Sequence, residues 1–201
     1  MRTMQTTTMT KPAVVREGMR TPWGTADSAQ VIAPGIGWVG TPGHGGIKLS
    51  PAVNRRMPDY MRLKGGWYEE DCEWAMVYVA MAADLRVAGR DADFDGRAEQ
   101  AVSTLRNYYP DAYERFFGET IPPGESYAKD ERIFKARHAN DLIVVSAVTS
   151  KTRKGFVETT ATVGGARGFN DARTFFIPSA DYEGRERFGF VIDDPAKYEE
   201  I

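Results

Sequence analysis

The chain contains one cysteine, Cys72, and two histidines, His44 and His138, and these side chains could carry nucleophilic chemistry. Cys72 precedes an apolar segment, and His138 comes shortly before the strand-like stretch LIVVSAV. A cysteine nucleophile requires an imidazole base and a further polar group, here Asn140 or Asp141, that orients the ring. The order of these residues predicts, as one alternative, a Cys–His hydrolase or transferase.

The residues around Cys72 favour a structural role instead. Carboxylates occupy positions 69, 70, 71 and 73, and neighbouring negative charges raise a thiol pKa and so disfavour the thiolate. Cysteine is also among the residue types most often buried. We therefore expect a protein that is not an enzyme, with Cys72, His138 and Asp141 as the catalytic alternative.

The stretch GTPGHGG, residues 40–46, could cradle a phosphate or turn a hairpin. A phosphate-binding loop requires a helix directly after its glycines, whereas the residues that follow here, IKLS, favour a strand. Pro42–Gly43 suits the central pair of a type II turn, in which the glycine takes a positive φ. The pattern predicts a hairpin turn, with His44 as a surface residue that contacts a partner.

The motif DADFDG places Asp91, Asp93, Asp95 and Gly96 at positions 1, 3, 5 and 6 of an EF-hand calcium loop. The twelfth position, which requires a bidentate carboxylate, holds Val102. The three aspartates are therefore a weak metal candidate, and the pattern favours a solvated acidic turn in which Asp95 caps the next helix. Apart from them, the sequence predicts neither a metal nor a cofactor.

Basic residues cluster at one predicted hairpin tip, KTRK at 151–154, and Arg167 and Arg173 flank the following loop. Such tips can contact phosphates, which makes Arg167 a candidate binding residue. The formal net charge is −2, however, whereas nucleic-acid-binding domains usually have a basic field. Nucleic acid is therefore not the expected partner.

Two tryptophans, Trp38 and Trp67, lie among the glycines of the N-terminal half and are candidate binding residues. Large aromatic side chains fill cores, and they also anchor protein–protein interfaces. The sequence does not distinguish between core packing and partner binding for these two residues.

The composition is that of a globular domain with no membrane segment. The chain has 201 residues, 42% of them hydrophobic, and no run approaches the ~18 apolar residues that span a bilayer. The Thr- and Met-rich beginning shows no period, so we predict a disordered tail over residues 1–20 and a single domain over 21–201. A lone cysteine forms no internal disulfide, which is typical of a cytoplasmic protein.

The order of elements predicts an α+β fold. Short apolar runs bounded by Gly and Pro predict an N-terminal β-hairpin. Residues 71–85 are apolar almost all round and predict a buried central helix, with Glu69, Glu70 and Asp71 at its acidic N-terminus. Shorter helical patterns predict further helices at 51–57, 97–108, 112–117 and 127–136.

The last third of the chain is rich in β-branched and aromatic residues. It predicts an antiparallel sheet of three to four strands, with a turn of helix near 180–185 ahead of the last one. The predicted strands are 142–150, 156–163, 174–179 and 188–193.

Three stretches in this order resemble an uncharacterised domain family of bacteriophages, plasmids and other mobile elements of proteobacteria. They are TPWGTADSAQVIAPGIGWVGTPGHGG, then GGWYEEDCEWAMVYVAM, then HANDLIVVSAVTS…GFVETTATVGGARG…FFIPSADYEGR…GFVID, which together span about residues 21–195. The family has no assigned catalytic residues, so the resemblance transfers none to this chain.

The resemblance implies that the protein is carried by a phage or another mobile element and acts in its bacterial host. Small proteins carried by phages and plasmids often block restriction, CRISPR or other host defences by binding a defence protein. We therefore expect an accessory protein that binds a host protein, most plausibly a counter-defence inhibitor, without a cofactor.

Overall fold

The computed structural model describes residues 14–168 and 171–201, and the chain divides into two compact units after Ser126. The predicted tail falls outside the described residues over 1–13. In the described part of the predicted tail, residues 14–20, Val15 is buried in a small cluster with Ala26 and Val39. The prediction of one domain over 21–201 stays a prediction, and each unit is described by itself.

Strands dominate the beginning of the first unit. β3 to β6 form a four-stranded antiparallel sheet in sequence order, and β1 and β2 form a separate ribbon. The strands are β1 (Arg20–Thr21), β2 (Gly24–Thr25), β3 (Ser28–Ala33), β4 (Ile36–Gly40), β5 (Gly45–Leu49) and β6 (Trp67–Glu69).

Five helices complete the first unit. They are α1 (Pro51–Asn54), α2 (Trp74–Ala80), α3 (Ala82–Ala88), α4 (Phe94–Tyr108) and α5 (Pro110–Phe117). The predicted central helix is therefore two helices, because the backbone of Met81 leaves the helical region (φ −112°, ψ 22°). The acidic residues do not begin this helix, since α2 starts at Trp74 and Glu69 ends β6.

The core of the first unit lies where α2 and α3 pack on the four-stranded sheet and α4 packs on α2. Trp74 to Tyr78 are all buried, which confirms the predicted burial for α2, whereas α3 buries Leu85 alone. The burial of apolar surface is the main stabilising contribution here. The largest side chains less than 2% exposed are Ile36, Ile47, Leu49, Met57, Met61, Tyr68, Tyr78, Leu85, Leu105 and Ile121.

The second unit is a five-stranded antiparallel sheet with two helices. Its elements are α6 (Tyr127–Arg137), β7 (Leu142–Thr149), β8 (Phe156–Val163), β9 (Arg173–Pro178), α7 (Ser179–Glu183), β10 (Val191–Ile192) and β11 (Glu199–Glu200). The strand order is β10-β7-β8-β9-β11, so the predicted meander forms the centre and two short strands form the edges.

Side-chain alternation along these strands separates the two faces of the sheet. Phe175 and Ile177 of β9 are fully buried, whereas the intervening Phe176 is partly exposed. The core also contains Leu142, Ala161 and Ile192.

The two units confirm the α+β class predicted from the sequence, with an N-terminal hairpin and a C-terminal antiparallel sheet. Within the described ranges, no helix combines the length and apolar character that a membrane crossing requires.

Candidate functional site

The glycine-rich loop joins β4 to β5 and confirms the predicted hairpin. The Thr41 hydroxyl donates to the His44 carbonyl oxygen (2.7 Å) and accepts from the His44 backbone N–H (3.2 Å). The Thr41 N–H donates to the same carbonyl (2.8 Å), so the turn is closed by three hydrogen bonds. The predicted type II turn is wrong, because Gly43 is not among the described glycines with positive φ.

This turn places His44 beside the end of β6. β5 pairs with β6 so that Gly46 lies opposite Glu69, and the Glu70 N–H donates to the Gly45 carbonyl (3.1 Å). The Nδ1 atom of His44 lies 3.7 Å from Oε1 of Glu69. One ligand atom from each of His44, Glu69 and Glu70 lies within 4.8 Å of the other two, which makes these residues a possible metal-ligand set.

The Glu69 carboxylate is held by its neighbours in the chain. Its Oε2 atom accepts a hydrogen bond from the Asp71 N–H (2.7 Å), and its own N–H donates to Oε2 of Glu73 (3.0 Å). Its Oε1 atom is buried and has no hydrogen-bond partner among the described residues. Buried polar atoms are nearly always hydrogen-bonded, so this oxygen beside an imidazole is an unusual feature of the turn.

Space for Glu70 depends on the absence of a side chain at Gly45. A Cβ atom at Gly45 would lie 2.5 Å from Oε2 of Glu70. Sequence reasoning missed Glu69 and Glu70 as site residues, because it placed both acids at a helix N-terminus. The signal that could have found them is the segment WYE, whose pairing with the strand after GTPGHGG brings them to His44.

Cys72 follows these acids and is partly exposed. Burial raises the pKa of the Cys72 thiol, and the carboxylates of Asp71, Glu69 and Glu73 raise it further. The thiolate is therefore disfavoured at neutral pH, in the direction that the acidic neighbours predicted.

His138 contacts Asp141 in the second unit. The Nδ1 atom of His138 lies 2.7 Å from Oδ2 of Asp141, so Asp141 holds the ring. The Nε2 atom is buried without a hydrogen-bond partner among the described residues. His138 lines a cavity of about 450 Å³ that Asp181, Glu186 and Lys197 also line. Cys72 belongs to the first unit and this pair to the second.

The aspartates of DADFDG make separate interactions. Asp91 accepts a hydrogen bond from the Tyr78 hydroxyl (2.6 Å) and lies 3.4 Å from Nε of Arg97. Burial, together with this contact, raises the pKa of Tyr78 well above its ordinary range. Asp95 pairs with Arg86 (2.9 Å). The backbone N–H of Asp93 donates to Asp91 (3.2 Å), which fixes the turn ahead of α4.

Trp38 and Trp67 lie in different surroundings. Trp38 lines two cavities of about 240 and 430 Å³, both of which also contain Tyr78 and Arg97, and Glu70 lines the larger one. The Trp67 ring packs edge-on against Trp23 (5.7 Å between ring centres) and under the Lys48 ammonium (4.6 Å). Trp38 is therefore available to a ligand, whereas Trp67 is part of a packed cluster.

Two of the five basic residues in the predicted basic patch pair with acids of β11. Arg153 forms an ion pair with Glu199 (2.5 Å), and Arg173 forms a bidentate pair with Glu200 (2.8 and 2.7 Å). Arg167 is exposed in the loop between β8 and β9. Pairing removes two of the charges that a phosphate contact would use.

The chain is therefore an α+β protein of two units, in which the β4–β5 turn places His44 beside Glu69 and Glu70. Residues 16–139 match the model of a family described as a domain of unknown function (DUF7007), and the chain belongs to that family. No curated protein and no solved structure matches the chain.

Proposed function

We propose that the protein binds a host protein and does not catalyse a reaction. In this proposal it is an accessory of a phage or other mobile element, works in the cytoplasm of the host bacterium, and inhibits a component of restriction or CRISPR defence. The mobile-element setting rests on the resemblance of its sequence motifs. The binding role rests on one observation, an exposed aromatic patch at the end of α5.

We define the α5 aromatic patch by the exposed rings Phe116 and Phe117, together with Arg115 of the same helix and the half-buried Tyr60 on which Arg115 lies. Phe116 and Phe117 are each 38% exposed, and their ring centres lie 5.1 Å apart. Phe117 also packs on the buried Tyr113 (4.6 Å between ring centres). These contacts hold the rings, so little side-chain entropy would be lost when a partner covers them.

Arg115 directly precedes these two rings in α5. Its guanidinium lies 3.9 Å from the centre of the Tyr60 ring. Aromatic and arginine side chains dominate the energetics of protein interfaces, and they do so where a partner excludes water from them. The patch therefore has the composition of a protein-binding hot spot.

The test compares how much partner protein is captured by the wild type, by a variant of the patch and by a control variant. The tagged protein is expressed in a proteobacterial host, and proteins that stay bound through salt washes are quantified by mass spectrometry. We expect a stoichiometric partner whose recovery falls about tenfold or more with Phe116→Ser/Phe117→Ser, since two hot-spot truncations exceed the ~1.4 kcal/mol that makes a factor of ten.

The matched control is Val87→Ser, which removes an 88%-exposed apolar side chain from α3, outside the patch. It is expected to capture the partner at the wild-type level. Equal capture by the folded double variant, or no stoichiometric partner for the wild type, would exclude the patch as the binding site.

A Cys–His hydrolase or transferase is the second candidate. The observation that favours it is the His138–Asp141 pair. The carboxylate of Asp141 contacts Nδ1 of His138, and the other ring nitrogen, Nε2, has no partner in the described part of the chain. A general base has this arrangement, because the orienting carboxylate leaves one nitrogen to accept a proton. In this alternative Cys72 is the nucleophile and His138 the base.

Alkylation of Cys72 by iodoacetamide separates the two candidates. Since burial and the neighbouring carboxylates raise the Cys72 pKa, we expect the native thiol at pH 7 to react more slowly than in the urea-unfolded chain, and to speed up as pH rises. The rate is followed by intact-mass spectrometry. A native thiol that reacts faster than the unfolded one, and slows in His138→Ala, would support the enzyme.

A further inference from the structure

We propose that His44, Glu69 and Glu70 form a binding site for a divalent transition-metal cation of the zinc type. The site is independent of the α5 aromatic patch, because its residues belong to the β4–β5 turn and the end of β6. The structural basis is the donor set, the geometry of Glu69 and the local charge.

The donor set is one imidazole nitrogen and two carboxylate oxygens. Imidazole nitrogen suits zinc and its neighbours in the transition series, whereas magnesium and calcium prefer oxygen alone. Zinc ligands at about 2.0–2.2 Å in a tetrahedron lie about 3.4 Å from each other. The 3.7 Å between His44 Nδ1 and Glu69 Oε1 is close to that value, and the full set spans no more than 4.8 Å. A small rotation of the exposed His44 side chain, with an adjustment of the half-buried Glu70, would bring the three ligand atoms to this spacing.

Glu69 is positioned as a ligand before any cation binds. One of its oxygens is held by the Asp71 N–H, which leaves the buried and unpartnered Oε1 on the side of His44. Such second contacts to the non-ligating atom orient metal-binding carboxylates in known sites. A cation would satisfy the oxygen that the protein leaves without a partner.

The charge around the site favours a cation. Glu69 and Glu70 are followed by Asp71 and Glu73, and no described lysine or arginine forms an ion pair with Glu69 or Glu70. The imidazole is neutral when it binds metal, so the carboxylates would supply the charge that balances the ion. The ammonium of Lys48, which contacts the Gly65 carbonyl and Trp67, is occupied elsewhere.

The site is open to solvent. The His44 side chain is 57% exposed, and Glu70 also lines the cavity of about 430 Å³ beside Trp38. Three protein ligands leave at least one coordination position for water or for a donor from another molecule, as in zinc sites that are not purely structural. A bound ion would therefore be accessible from outside the protein.

The test is calorimetric titration of the full-length, tag-free protein with ZnCl₂, together with thermal denaturation. We expect one zinc ion per chain and a rise in melting temperature, because a ligand that binds only the folded state stabilises it. His44→Ala, Glu69→Gln and Glu70→Gln are each expected to weaken binding about tenfold or more, the range seen even for outer-shell changes. Excess MgCl₂ should not compete.

Two control variants distinguish zinc binding by the three proposed ligands from nonspecific attraction to acidic residues and from zinc binding by the thiol. Asp71→Asn removes a neighbouring charge but keeps the backbone N–H that holds Glu69, so it is expected to weaken zinc binding far less than the ligand variants do. Cys72→Ser removes the only thiol and is expected to bind zinc as the wild type does. Phe116→Ser/Phe117→Ser should also keep zinc binding, which makes failure of this site distinguishable from failure of the proposed function.

The proposal is overturned if the wild type does not bind zinc, or if His44→Ala and Glu69→Gln both bind it unchanged. Loss of binding in Cys72→Ser would assign the ion to the thiol instead. Cobalt(II) gives a second readout, since its visible absorption in the wild type should change on loss of the His44 nitrogen.

Discussion

The substitution Gly46→Ala is expected to lower the free energy of unfolding of the first unit by about 3 kcal/mol, the upper part of the usual range for overpacking. An alanine Cβ at this position would lie 2.3 Å from the Tyr68 carbonyl oxygen and 2.5 Å from the Trp23 ring. The carbonyl belongs to the neighbouring strand β6, so it cannot move away without a change in the β5–β6 pairing.

The four tryptophans of the chain, at positions 23, 38, 67 and 74, all lie in the first unit, so urea unfolding followed by tryptophan fluorescence reports on that unit. The matched control is Gly43→Ala in the adjacent turn, where an added Cβ meets no atom within 4 Å. It is expected to leave the unfolding midpoint within about 0.5 kcal/mol of the wild type. Equal stability of the two variants would contradict the close packing of β5 on β6.

Gly46→Ala is also expected to weaken zinc binding, even under conditions in which most of the protein is folded. The pairing of Gly46 with Glu69 sets the position of the Glu69 carboxylate beside His44. Calorimetric titration with ZnCl₂ in the absence of urea would show this loss of affinity. Gly43→Ala should bind zinc with the affinity of the wild type.

The second large effect is expected for Phe175→Ala, which should lower the free energy of unfolding of the second unit by about 3–5 kcal/mol. Phe175 is fully buried on β9, an inner strand of the five-stranded sheet that lies between β8 and β11. Removal of its ring loses apolar burial and leaves a cavity in a small core, which has few side chains that could fill it.

Hydrogen–deuterium exchange of peptides from residues 127–201 measures this effect in the second unit directly, because that unit contains no tryptophan. The control Val148→Ala removes two methyl groups from a side chain of β7 that is 59% exposed, and it is expected to change exchange little. Protection of β8 and β9 that stays unchanged in Phe175→Ala would show that the ring does not support this sheet.

Local patterns determined most of the elements. The β-branched runs after residue 141 became β7, β8 and β9 within a residue or two of the predicted bounds, because long alternating or apolar strands carry a strong local signal. Pro110 and Gly118 bound α5 for equally local reasons, since proline suits a first helical position and glycine takes the left-handed conformation (φ 71°) after the last.

Other elements depend on contacts distant in sequence. Glu199–Glu200 has poor strand propensity, yet it forms β11, because it pairs with β9 and its carboxylates meet Arg153 and Arg173. The break at Met81 also lacks a local signal, since no glycine or proline marks it. Propensity averages over a local window and is insensitive to these long-range contacts.

The sequence by itself determined the fold class, the hairpin at GTPGHGG, and the acidic surroundings that raise the Cys72 pKa, since all three follow from residues adjacent in the chain. Only the tertiary structure decided that Glu69 and Glu70 lie beside His44. The antiparallel pairing of β5 with β6 brings together residues about 25 positions apart, and a shift of that register by one residue would turn the Glu69 side chain to the opposite face of the sheet.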